Sequence, residues 1–286
     1  MPTVDLDGLS LFYMDKGTGD PLVFVHGIPT DYRAWNSQVE TFSETFRVIT
    51  YSRRYAQPNK REGDPLDSTI ENNVVDLVGL IKRLGIAPVH LIGHSYGGFI
   101  AAYCASKSPE LIKTLTLIDP AVSTLLIKDP KNPIQFLGLL LRDPSTARSA
   151  AKFVTGSLNP SLAAIRRGDL ETALGLNVDG IMNRKGALRQ FPEWVQVMMK
   201  ENARTIGELG TKLPAYSEED ASRISKPTLL VNGNDSPKFF HSIVDKLSKS
   251  IEKSEVVRIR GSAHFPHLEN PNEFNGRLRD FLQVKS

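Results

Sequence analysis

The sequence predicts an α/β fold in which a mainly parallel sheet is flanked by helices and carries an inserted helical cap. Three observations carry this. Short β-rich runs alternate with helical patterns, several runs are apolar at every position, and strand signals cease between about 121 and 216.

The expected strands are Leu9 to Tyr13, Pro21 to Val25, Phe46 to Tyr51, Val89 to Ile92, Leu115 to Ile118, Thr228 to Val231 and Glu255 to Ile259. Runs such as Leu22-Val23-Phe24-Val25 and Thr228-Leu229-Leu230-Val231 suit strands buried on both faces. The first run is expected to pair with the second through the Gly17-Thr18-Gly19-Asp20 turn, as an antiparallel hairpin at the sheet edge. From 121 to 216 the pattern is helical. Its apolar stripes run from Ile134 through Phe136 to Leu141 and from Trp194 to Met198. Pro130, Pro133, Pro144, Pro160, Pro192 and Pro214 punctuate this segment, each favouring a helix start or a break, and about four short helices fit. The expected division is therefore a core of 1–120 and 217–286 with a cap of 121–216.

With 286 residues the chain can build a large core around a buried site. Hydrophobic residues at 40% and charged residues at 23% are ordinary globular values. A net charge of +3, without a dense basic block, argues against a nucleic-acid partner. No apolar stretch is long enough to span a membrane, and the start from Met1 to Asp7 has no signal-peptide core, so the expectation is a cytoplasmic chain without a membrane partner. Cys104 is the single cysteine, which excludes an intramolecular disulfide. No His/Cys/carboxylate cluster at zinc spacing and no phosphate-cradling glycine loop is present, so neither metal nor organic cofactor is implied.

The chemistry concentrates in Gly93-His94-Ser95-Tyr96-Gly97-Gly98, between the strand ending at Ile92 and a helical run beginning at Phe99. A G-x-S-x-G in this setting lifts a serine hydroxyl clear of the backbone at a helix N-terminus, and its glycines leave room for the crossing strand and helix. Ser95 is the candidate nucleophile. A serine needs a base, and six histidines compete for that role. His26 and His94 sit in glycine turns and read as structural, while His90 and His241 read as packing or surface residues. His264, in Gly261-Ser262-Ala263-His264-Phe265-Pro266-His267 after the last strand, is the candidate base; His267 is the residue behind it.

These pieces resemble the α/β-hydrolase superfamily over essentially the full length. The resemblance rests on His26-Gly27-Ile28-Pro29, the Gly93 to Gly98 turn, and the run from Gly261 through His264 to Pro271. It implies an oxyanion hole from the backbone N–H groups of Ile28 and Tyr96. It also raises the question of the third triad member. Family members usually place the acid three residues beyond the glycine ending the Thr228 strand, and here that position is Ser236. Asp235 falls one residue early. Asp119, at the end of the preceding strand, matches the branch of the family that keeps its acid there. Asp119 is the preferred acid and Asp235 the alternative.

Serine as nucleophile implies an acyl-enzyme, so the expected activity is hydrolysis of small or medium carboxylic esters, with a small-molecule ester or lactone as partner. Lactone or carbon–carbon bond hydrolysis and a ligand sensor with little turnover are the alternatives. Phe136 and Trp194 are candidates for apolar walls of the substrate pocket. Arg53-Arg54 reads as loop-stabilising, and Trp35 as core.

Overall fold

The computed structural model describes residues 2–59, 67–129 and 132–285, so Met1 and Pro130 lie outside the described residues. Eight strands form one sheet, β1 (Thr3–Leu6), β2 (Leu9–Lys16), β3 (Pro21–Val25), β4 (Arg47–Tyr51), β5 (Val89–His94), β6 (Ile112–Ile118), β7 (Thr228–Gly233) and β8 (Ser254–Ile259). Their order across the sheet is β1-β2-β4-β3-β5-β6-β7-β8. From β4 to β8 every pairing is parallel, while β1–β2 and β2–β4 are antiparallel.

The expected hairpin through Gly17 to Asp20 does not form. β2 pairs with β1 on one side and β4 on the other, and β4 lies between β2 and β3. The cause is burial. β3 is an apolar run and β4 is buried from Val48 to Tyr51; both need cover on both faces and take interior places as a parallel pair, leaving the half-exposed β2 outside them. The hairpin present is β1–β2, turned by Asp7 at φ 54° and Gly8 at φ 93°. Asp-Gly between two strands is the residue pair such a two-residue turn demands.

Side chains alternate across the sheet and divide the core in two. Val23 and Val25 of β3 face a core with α2 (Ile70–Arg83), α3 (Tyr96–Lys107) and α10 (Lys238–Ser250). Leu22 and Phe24 face Trp35, α1 (Asn36–Phe42) and α12 (Pro271–Lys285). Trp35 is thus a core residue.

Between β6 and β7 the chain is helical, with α4 (Pro133–Arg142), α5 (Pro144–Phe153), α6 (Asn159–Arg166), α7 (Leu170–Ile181) and α8 (Glu193–Glu201), followed by α9 (Glu218–Ser222). A π-helical turn at Val154–Leu158 runs α5 into α6. Among the described residues of 121–216 there are five α-helices where four were expected. Pro133 and Pro144 open α4 and α5, and Pro192 caps α8, as their fixed φ and missing N–H dictate. In α4 Leu139 is buried, while Ile134, Leu137 and Leu141 are exposed. Among the described residues no helix is long and apolar enough to cross a membrane.

Candidate active site

β5 and β6 are neighbours in register, His94 opposite Ile118, so the residues that follow them emerge side by side. Ser95 leaves β5 at φ 53° and caps α3, a left-handed conformation rare for a residue with a Cβ. Its N–H donates to Ile118 O at 2.9 Å. Asp119 leaves β6 at φ 39°, its N–H bonded to Val231 O at 2.8 Å. Two strained residues on adjacent strand ends are held by backbone hydrogen bonds that tie β5, β6 and β7 together.

His264 arrives from the loop after β8. Glu269, in the short α11 (Pro266–Glu269), accepts the N–H groups of Ala263 at 2.9 Å and Phe265 at 3.1 Å, fixing the residues on either side of His264. The imidazole Nε2 lies 2.9 Å from Ser95 Oγ, and Nδ1 lies 3.5 Å from Asp119 Oδ2. The second distance brings the groups together without a tight hydrogen bond. Asp119 Oδ1 accepts from Asn232 Nδ2, and Oδ2 accepts from the Ser236 hydroxyl, each at 2.5 Å. Asp235 is exposed, and its N–H is bound to Ser262 O at 2.9 Å. Of the two candidate acids, Asp119 is the one beside His264.

His264 and Asp119 are fully buried, and Ser95 is nearly so. Burial pushes the His264 imidazole down to about 3, which keeps it a neutral proton acceptor. Burial pushes Asp119 up to about 7, against the pull of the Ser236 and Asn232 donors.

The Gly27–Ile28 turn lies against the nucleophile, since a Cβ on Gly27 would stand 3.0 Å from Ser95 Cβ. His26 holds this turn, its Nε2 accepting from Arg53 N–H at 2.9 Å and its Nδ1 donating to Gly27 O at 2.8 Å. The N–H of Tyr96 begins α3, where helix N–H groups lack intrahelical partners. His94 donates from Nε2 to His264 O at 2.7 Å, and His267 stacks on Trp35 with ring centroids 4.4 Å apart.

Arg53 is buried. Its Nη1 meets Glu208 Oε2 at 2.7 Å, Nε donates to His26 O at 3.2 Å, and the guanidinium lies 4.9 Å over the Tyr96 ring. Nearby, Asn202 Nδ2 donates to Asp31 Oδ2 at 2.7 Å, and Gln57 N–H donates to Asn202 Oδ1 at 2.8 Å. Polar ties thus join 202–208 to the loops around the Ile28 turn. Arg54 pairs with Asp76 at 2.7 Å. Phe136 is half-buried on α4, and Trp194 on α8 is 46% exposed. A groove of about 940 Å³ between α4, α9 and α10, lined by residues such as Lys128, Gln135 and Lys246, lies apart from Ser95, His264 and Asp119.

Sequence reasoning missed Asn232, Ser236, Glu269 and Phe240, whose ring stacks on His264. Ser236 carried a signal, since it occupies the usual acid position. Glu269 lay in the quoted His264 run without a role.

The fold and this arrangement define the class. The chain belongs to the alpha/beta hydrolase fold family, whose profile matches residues 20–271. It is similar to a non-heme haloperoxidase of Rhodococcus erythropolis, 28% identical over 97% of each chain. It is also similar to an (E)-2-((N-methylformamido)methylene)succinate hydrolase of Acinetobacter baylyi, 22% identical over 95% of this chain and 94% of that one. A bromoperoxidase structure from Bacillus anthracis superposes with a TM-score of 0.74 at 22% identity, covering 96% of this chain and 95% of the other.

Proposed function

We propose that the protein is a serine hydrolase of small or medium carboxylic esters. The observation that carries this reading is the 2.9 Å contact of His264 Nε2 with Ser95 Oγ, on a serine raised by a positive-φ turn. Ser95 Oγ attacks the ester carbonyl carbon, its proton passes to His264 Nε2, and the carbonyl electron pair moves onto oxygen between the N–H groups of Ile28 and Tyr96. When the C–O bond to the alcohol breaks, His264 gives that proton to the departing oxygen. Water then repeats the sequence on the acyl-enzyme, with His264 again taking and returning a proton. Asp119 orients the imidazole and balances its charge. The 121–216 segment serves as the cap that selects the acyl group. The similar hydrolase of a substituted succinate supports hydrolytic chemistry on this framework.

The test is a fluorophosphonate probe together with chromogenic esters of increasing acyl length. One label per chain and ester turnover are expected, both lost in Ser95→Ala. Labelling that survives in that variant refutes the nucleophile, and stoichiometric ester binding without turnover would identify a sensor instead.

A further inference from the structure

Phe240 lies in the first turn of α10, buried, with its ring centroid 4.3 Å from that of His264 and the planes 27° apart. Among the rings around His264, His94 is tilted by 52° at 4.8 Å, and Phe265 meets it edge-on at 5.2 Å. The near-parallel face is therefore that of Phe240. Taking the Ser95 proton turns His264 into a fully buried imidazolium. Its carboxylate neighbour stands at 3.5 Å and has its oxygens engaged by Asn232 and Ser236. A phenyl face carries negative quadrupole density and attracts a cation laid over it, most strongly where water is excluded.

We propose that Phe240 is a positioning residue that fixes the plane of His264 and stabilises its imidazolium form through the ring face, sharing with Asp119 the task usually given to the acid alone. This rests on the serine hydrolase reading above. One connection, from β7 into α10, supplies both supports: Asn232 and Ser236 hold the carboxylate, and Phe240 holds the ring. The titratable groups around His264 are His94 at the end of β5, Asp119 after β6, and His267 and Glu269 in α11, with the Ser95 hydroxyl at Nε2; His241, beside Phe240, interacts with Asp119.

The experiment replaces Phe240 with pentafluorophenylalanine, which keeps nearly the same outline and reverses the quadrupole, alongside Phe240→Trp and Phe240→Leu. For the fluorinated enzyme the expected result is a loss of about tenfold in kcat, equal to about 1.4 kcal/mol, with KM changed by no more than about twofold. The acid limb of kcat/KM should move to lower pH, because the protonated imidazole has lost its support. Phe240→Trp should keep kcat and the limb near wild type, and Phe240→Leu should lie between. A fluorinated enzyme with wild-type kcat and an unmoved acid limb overturns the proposal, as does a change confined to KM, which would make Phe240 a pocket wall. Fluorophosphonate labelling of the wild type separates the two levels: without a label on Ser95, the hydrolase reading itself fails.

Discussion

Ser236 donates its hydroxyl to Asp119 at 2.5 Å, on the same carboxylate oxygen that faces His264 Nδ1 at 3.5 Å. The position where most of the family carries its acid therefore holds a donor to an acid on the neighbouring strand. A carboxylate at β6 and a second one at β7 would repel at this range, and a hydroxyl at 236 removes that conflict while holding Asp119 in place.

Asp119→Asn should lower kcat/KM by about three to four orders of magnitude, because the amide can hold the wrong imidazole tautomer. Asp235→Asn, with its side chain exposed, should remain within about threefold of wild type. Steady-state kinetics with circular dichroism as a folding control make the comparison. Equal losses in the two variants would contradict the separation.

Relocating the acid is a sharper test. The double variant Asp119→Asn with Ser236→Asp should recover at least about tenfold of the activity lost in Asp119→Asn alone, since a carboxylate at 236 starts from the position the family commonly uses. No recovery in a folded double variant would show that the β7 loop cannot deliver a carboxylate to Nδ1.

The pH dependence of stability follows from the histidines. Burial lowers all six, His90 to about 4 and His264 to about 3, with His26, His94, His241 and His267 also below their ordinary value of 6.5. Below that value the unfolded chain binds protons that the folded chain refuses, so stability present above about pH 6.5 is lost as pH falls. Asp119, raised to about 7, has the opposite sign, and Asp76, Glu208 and Glu269, raised by burial, add to it at the acid end. Six groups outweigh these in the upper part of the window. Urea midpoints should therefore fall between about pH 7.5 and about pH 5. A flat or rising midpoint would contradict this.

The Arg53–Glu208 pair gives a stability prediction. Glu208→Gln leaves a buried guanidinium without its counter-charge and should cost about 3–5 kcal/mol, whereas Arg53→Met with Glu208→Leu should cost less, because both desolvation penalties disappear together. Urea denaturation measures the difference. A double variant less stable than Glu208→Gln would give the pair a net stabilising role.

Much of the architecture was readable from apolar runs. Near-continuous apolar runs in β3 and β7, Leu22–Val25 and Leu229–Val231, mark strands covered on both faces, and the glycines around Ser95 mark the turn that raises it. Pairing order was less readable. The Gly17 to Asp20 turn and the Asp7-Gly8 turn both look like hairpins, and the placing of β4 between β2 and β3 excludes the first, a long-range effect that no local pattern encodes. In the site, Ser95, His264 and Asp119 could be named because each ends or follows a strand. Asn232 and Phe240 could not, since an Asn at a strand end and a Phe in a helix have many uses. Only the crossing of β7 and α10 with the His264 loop gives them theirs.

The ties at 202–208 have a consequence for how the helical segment comes loose. Releasing that end would pull Glu208 away and leave the buried Arg53 guanidinium without its counter-charge, whereas releasing α4 frees little more than Leu139. The two ends therefore open with different free energies, and local opening sets the rate of amide exchange. In deuterated solvent the α4 amides should exchange before those of Ala203–Gly210. Any route for substrate that depends on transient opening of this segment would then begin at α4 and leave the Ile28 turn undisturbed.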